Sequence, residues 1–83
     1  MSKTAKDITQ KIKTLLAEHI GADEEELSNE DRFQNDIHMS ATDLADFVEK
    51  LKMAGFDTTK LDLTETESVG DIIENIISQE ELN

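Results

Sequence analysis

The stretch from Phe33 to Phe56 constrains the fold of this chain most, because it contains the clearest amphipathic helix pattern in the sequence. Ser40 and Asp43 have the spacing of a capping box, and Gly55 is typical of a helix end. The pattern therefore predicts a helix that begins at Ser40 and ends at Gly55. Its apolar stripe consists of Leu44, Phe47, Val48 and Leu51.

Two further segments also have the capping residues and the apolar spacing of an amphipathic helix. Thr4 and Asp7 have capping-box spacing and Gly21 provides a stop, which predicts a first helix over about residues 4–20. Ser68 and Asp71 cap a last helix over about residues 68–79. The apolar positions of these two helices are Ile8, Ile12, Leu15, Leu16 and Ile20 in the first, and Val69, Ile72, Ile73, Ile76 and Ile77 in the last.

The two connections differ in character. Residues 22–36 form a long polar loop, which Leu27, Phe33 and Ile37 are expected to pin across the bundle. Residues 57–68 are rich in threonine and predict an irregular segment with one short third helix, in which Leu61 and Leu63 insert into the core. The expected fold is therefore an all-α four-helix bundle, with three main helices and one short one. It forms a single domain over 1–83, ordered over about 4–79, with residues 80–83 as a tail.

Composition and charge exclude several classes of function. The 83 residues contain no cysteine. The net charge is −12, from 20 acidic and 8 basic residues, and all but two of the acids follow Gly21. An acidic surface repels nucleic acid and anionic lipid and attracts basic partners. The sequence has no glycine-rich phosphate loop and no calcium-loop spacing. We expect a cytoplasmic monomer that is not an enzyme, binds no metal and inserts into no membrane.

Taken in order, the elements resemble an acyl carrier protein over nearly the whole chain, from about Ile8 to Ile77. The segment IGADEEELSNEDRF resembles the end of that family's first helix and its loop. Residues 33–37 resemble its F-x-x-D-L segment, and SVGDIIENI resembles the start of its last helix. In that family F-x-x-D-L-G-x-D-S-L carries a serine whose hydroxyl receives 4′-phosphopantetheine. The resemblance implies a carrier that presents a tethered acyl thioester to partner enzymes in fatty-acid, lipid or secondary-metabolite synthesis.

Aligned without gaps from Phe33, the family's serine falls at Ala41, its glycine at His38 and its aspartate at Ser40. Alanine has no hydroxyl and therefore cannot receive the 4′-phosphopantetheine group. Three explanations are open, in the order that the sequence favours them. The first is that this chain carries a serine-to-alanine change that keeps it in the unmodified form. The second is that the natural chain lacks the site and works as an unmodified docking domain. The third is that Ser40 is the acceptor. No cofactor is expected on the chain as it stands, and 4′-phosphopantetheine is expected where residue 41 is a serine.

The partners that the resemblance implies are a phosphopantetheinyl transferase and acyl-transfer or synthase enzymes with basic docking surfaces. Asp36, Asp43 and Asp46 are the expected docking acids because they lie beside position 41, although such acids also occur simply as a solvated helix face. His38 in place of the family's glycine should stiffen or re-aim the turn before the site. The alternative function is a cofactor-free acidic helical adaptor of carrier fold that docks a basic partner protein.

Overall fold

The computed structural model describes residues 4–81 and contains three α-helices: α1 (Ala5–Ile20), α2 (Ala41–Met53) and α3 (Val69–Glu81). A single turn of 3-10 helix, Glu24–Glu26, lies in the first connection. No β-strand forms among the described residues. This confirms the all-α class and the three main helices. The predicted end of the last helix falls two residues short, since α3 continues to Glu81, and residues 82–83 of the predicted tail lie outside the described part of the chain.

The three helices begin where the sequence predicts because each has a reciprocal cap. The backbone N–H of Asp7 donates to the Thr4 hydroxyl at 3.1 Å, and the Thr4 N–H donates to the Asp7 carboxylate. Ser40 and Asp43 repeat this arrangement at the start of α2. Ser68 and Asp71 repeat it at the start of α3. Side chains close in sequence therefore satisfy helix N–H groups that have no partner within the helix.

Two glycines end α1 and α2. Gly21 has a φ of 73°, the left-handed conformation that follows many helices, and the Ala22 N–H bonds to the Ala17 carbonyl. Gly55 has a φ of 99° after α2, and the N–H of Phe56 reaches back to the Leu51 carbonyl. Phe56 is buried behind this turn, as its position after the glycine predicts.

One hydrophobic core joins the three helices. Phe47, Leu16, Leu51, Ile72 and Ile76 have no measurable exposure, which confirms most of the predicted helical stripes. Val48, predicted for the stripe of α2, is only half-buried and is not part of this core. Phe47 and Ile73 are thus core residues. The half-buried residues Leu15, Ile20 and Ile77 pack at the edge. Each buried side chain of this size contributes roughly 1.5–3 kcal/mol, so the core supplies the main driving force for folding.

The first connection is held to the bundle by buried side chains and by backbone hydrogen bonds. Leu27 and Phe33 are buried and Ile37 is half-buried, as predicted, and Met39 is a further anchor that the sequence reading did not identify. The Phe33 N–H donates to the Glu67 carbonyl at 2.9 Å, and the Gly70 N–H donates to the Asn29 carbonyl at 2.8 Å. The loop is therefore attached to the start of α3.

The prediction of a short helix within residues 57–68 is wrong. Asp57 accepts hydrogen bonds from the N–H and the hydroxyl of Thr59, at 3.0 and 2.6 Å. Asp62 accepts the same pair from Thr64, at 2.9 and 2.6 Å. These local bonds offer the backbone an alternative to helix, so the segment forms turns instead. Leu61 and Leu63 still pack against the core, as predicted.

Candidate functional site

The candidate site lies at the start of α2, where the family resemblance places the attachment residue. Ser40 is the N-cap: its hydroxyl oxygen accepts from the Asp43 N–H at 3.2 Å, and its own N–H donates to the Asp43 carboxylate at 3.2 Å. Ala41 is the first residue of the helix, and both Ser40 and Ala41 are exposed. A group on either side chain would therefore project into solvent beside a helix N-terminus, which carries partial positive charge.

The turn before the site has an unusual backbone conformation at His38. Its φ is 63°, and it is the one non-glycine residue with a positive φ in the range 4–81. The next residue, Met39, is buried and its N–H donates to the Phe33 carbonyl at 2.7 Å. His38 thus takes the conformation that glycine adopts freely, so the expected re-aiming of the turn does not follow from the missing glycine. The imidazole itself is exposed.

The three predicted docking acids are all exposed, but two of them have local structural roles. The Asp36 carboxylate accepts from the Arg32 N–H at 2.8 Å, and the Asp43 carboxylate caps α2 at Ser40. The Asp46 carboxylate makes no hydrogen bond or ion pair with another residue of the described range and lies on the outer face of α2. Asp46 is therefore the acid of the three that is most available to a partner.

A groove of about 420 Å³ opens beside Ala41. Its floor is apolar: Phe33, Met39 and Leu44 are buried, and Leu63 is half-buried. The rim is polar and comes from three parts of the chain. It consists of Arg32, Gln34 and Asn35 from the first loop, Ser40 from the cap of α2, and Thr64, Thr66 and Glu67 from the second loop.

The wall formed by the second loop is held by hydrogen bonds within that loop. The Thr64 hydroxyl donates to the Asp62 carboxylate at 2.6 Å, and the Thr66 hydroxyl donates to the Asp62 carbonyl at 2.7 Å. The hydrogen bonds from Thr64 lower the pKa of the Asp62 carboxyl below its usual value, because they stabilise the charged form. The Asp62 side chain and carbonyl thus accept the hydrogen bonds that link Asp62 to Thr64 and Thr66 in this loop.

Two other carboxyl groups are stabilised in the same way. Bonds from the hydroxyl and the N–H of Thr59 lower the pKa of Asp57. Bonds from the N–H groups of Glu67 and Ser68 lower the pKa of Asp71, the cap of α3. These shifts belong to turns and to a cap. They accordingly mark structural carboxylates and give no sign of an acid or base in a catalytic role.

The residues now present at position 41 and around it do not fit covalent attachment of an arm at that position. Ala41 offers no oxygen, whereas the neighbouring Ser40 has an exposed hydroxyl whose oxygen already accepts the capping bond. Within the described residues, no group of three or more histidine, cysteine, aspartate or glutamate side chains is arranged to hold a metal ion. Nor does any helix in this part of the chain combine the length and the apolar character needed to cross a membrane.

No protein-family model matches the sequence, and no curated protein matches it either. The groove is the main feature that sequence reasoning missed. Arg32, Gln34 and Asn35 lie in the first loop, and nothing in their spacing indicates that they meet Leu63 and Glu67, about thirty residues later.

Proposed function

We propose that this chain is a non-catalytic carrier-fold domain of the acyl carrier class, with position 41 as the place where a serine would hold phosphopantetheine. The observation that carries the proposal is the position of Ala41. It is the exposed first residue of a capped helix, at the mouth of a groove with an apolar floor. In the serine form, the domain would present an acyl thioester to enzymes of fatty-acid, lipid or secondary-metabolite synthesis.

The orientation of α2 supports the ungapped alignment with the carrier family. Asp43 and Asp46 are exposed while Phe47 and Leu51 are buried, which is the pattern that this alignment requires. A shift of one residue would bring Ser40 to the attachment position but would match Asp46 to an apolar position. The helix N-terminus at position 41 also favours an anionic group, such as a phosphodiester, near its free N–H groups.

Partner docking would depend on the acidic surface beside position 41. Asp46 is the strongest candidate contact because its carboxylate has no local role, and Asp36 and Asp43 add negative charge on either side of Ala41. Exposed charges of this kind chiefly accelerate encounter with an oppositely charged surface. We therefore propose a basic face on the transferase and on the acyl-transfer or synthase enzymes.

The direct test is to incubate the Ala41→Ser variant with a phosphopantetheinyl transferase and coenzyme A, and to measure the intact mass. The variant should gain one phosphopantetheine group. The unchanged chain is the matched control and should gain none. If Ala41→Ser gains nothing under conditions that load a known carrier, the carrier proposal fails. A gain by the unchanged chain that Ser40→Ala abolishes would move the attachment site to Ser40.

A cofactor-free adaptor is the second candidate, and the absence of a hydroxyl at Ala41 favours it. Such a domain would bind a basic partner through the same acids without any loading. A basic partner protein would then bind the unchanged chain as tightly as the serine form. Its affinity should fall as salt is raised from about 0.05 to 0.5 M, because salt screens exposed charges. An affinity that does not change with salt would rule out docking through these acids.

A further inference from the structure

The outer face of α2 changes its chemical character along the helix. Four exposed residues, spaced three or four apart, form one outward stripe: Thr42, Asp46, Glu49 and Met53. Asp46 and Glu49 make the middle of this stripe acidic. Met53 ends it, is 85% exposed, and is the one large apolar side chain that the described residues leave in solvent. The stripe therefore runs from acidic to apolar.

Two lysines flank the apolar end of the stripe. Lys50 and Lys52 are exposed, and neither ammonium group forms an ion pair with a described residue. Cations near a helix C-terminus interact favourably with the helix dipole, which accounts for the two lysines but not for an exposed methionine. We call Lys50, Lys52 and Met53 the basic end of α2. Helix stability alone does not explain this combination of residues.

The basic end is distinct from the acids beside position 41. Lys52 lies nine positions after Asp43, a distance of about 13 Å along an α-helix. Salt at physiological concentration screens charges over about 8 Å. A partner that lies along α2 therefore meets a negative region and then a positive one, although the chain as a whole has a net charge of −12.

We propose that the transferase that loads the serine form docks along α2 through a face of two parts. The first part is basic and lies opposite Asp43 and Asp46. The second part has an apolar pocket for Met53 and a carboxylate that pairs with Lys50 or Lys52. Charge complementarity selects this partner, because a uniformly basic face would place like charges against both lysines. Methionine is also enriched at protein interfaces.

This inference rests on the proposed function, since it concerns the enzyme that loads position 41. It adds the chemistry of the enzyme surface that meets the far end of α2. The two proposals can fail separately. Loading of Ala41→Ser tests whether the chain is a carrier, whereas the loading rates of further variants in that background test the docking face.

The experiment measures kcat/KM for loading of Ala41→Ser with coenzyme A, using the transferase that loads this variant fastest among those tried. Lys50→Glu combined with Lys52→Glu should lower kcat/KM about 5- to 30-fold, because two attractions become repulsions. Lys50→Arg combined with Lys52→Arg keeps both charges and should change kcat/KM by less than about 2-fold.

Met53→Ser tests the apolar pocket in the same background. It should lower kcat/KM about 3- to 10-fold through a higher KM, with kcat unchanged, because the methionine lies far from position 41. Raising salt from about 0.05 to 0.5 M should reduce the effect of the two glutamates to about 2- to 5-fold and leave the effect of Met53→Ser unchanged.

The matched control is Lys6→Glu, which reverses the charge of an exposed lysine on α1. It should change kcat/KM by less than about 2-fold, because a charge outside the docking face acts only through screened, long-range attraction. Each substituted side chain is exposed, and circular dichroism verifies that each variant is folded.

A uniformly basic docking face predicts the opposite sign, since the two glutamates would then raise kcat/KM. A rise, no change, or a loss no greater than that of Lys6→Glu overturns the inference and leaves the carrier proposal standing. An unchanged KM in Met53→Ser overturns the apolar pocket. Failure of Ala41→Ser to load at all ends the carrier proposal and this inference together.

Discussion

Replacing His38 with glycine should stabilise the protein although it removes a side chain. The φ of 63° places the Cβ of His38 against its own backbone, and this left-handed conformation costs a residue with a Cβ about 1–2 kcal/mol. Histidine tolerates the region better than most residues, so the lower end of that range applies. Glycine relieves this cost but loses more conformational entropy on folding, which offsets part of the gain. The net expected gain is therefore small, up to about 0.5 kcal/mol.

Thermal unfolding followed by circular dichroism measures this gain. For a domain of this size a gain of about 0.5 kcal/mol corresponds to a rise of about 2–4 °C in the midpoint. His38→Ala separates the backbone effect from the loss of the imidazole, since alanine keeps the Cβ; its midpoint should not rise. His38→Val should lower the midpoint by several degrees, because a β-branched residue is strongly disfavoured at positive φ.

A matched control shows what glycine does without backbone strain. Gln34 is also exposed in the first loop and does not have a positive φ. Gln34→Gly should therefore lower the unfolding free energy by about 0.5–1 kcal/mol through chain entropy alone. The reasoning is refuted if His38→Gly destabilises the protein as much as Gln34→Gly does, or if His38→Ala gains as much as His38→Gly.

Three further predictions concern the structure that surrounds the site. Ser40→Ala removes the hydroxyl that accepts the capping bond and should lower the unfolding free energy by about 1 kcal/mol in urea titration; an unchanged value would show that the cap is dispensable. Gly70→Ala should lower the unfolding free energy by about 1–3 kcal/mol, because the alanine Cβ would lie 3.0 Å from the Asn29 carbonyl oxygen. Alanine favours helices more than glycine does, so a rise in stability would contradict this prediction. The lowered pKa of Asp71 contributes its full stability above the unfolded value of 3.8, and this stability is lost as the pH falls below that value and through the lowered folded pKa. Urea titrations at about pH 5 and pH 3 should therefore show a fall in the unfolding free energy that is smaller in Asp71→Asn; equal falls would assign the acid sensitivity elsewhere.

The starts of the helices were predictable because their causes are local. Thr4 with Asp7, and Ser40 with Asp43, lie three residues apart, so one turn of chain brings each pair into contact. The short helix predicted within residues 57–68 was wrong for an equally local reason. Asp57 and Asp62 each stand two residues before a threonine, and the resulting bonds favour turns. The aspartate–threonine spacing in the sequence therefore favoured turns over a helix in this segment.

The groove could not be predicted because no local rule brings its parts together. Arg32 and Glu67 meet because backbone hydrogen bonds attach the first loop to the start of α3. These bonds depend on Gly70, whose missing side chain allows the Asn29 carbonyl to approach within 2.8 Å of its N–H. A pairing between distant segments depends on the packing of the whole core, and this packing cannot be predicted from the spacing of residues in the sequence.

The sequence by itself determined the three helices, their caps and the buried stripes, since each follows from residues within a few positions of one another. The tertiary structure decided two other features. It placed His38 in a left-handed turn, and it opened a groove beside Ala41. The physical reason is distance along the chain. Caps and stripes repeat over one or two helical turns, whereas the groove forms only where the two loops meet beside α2.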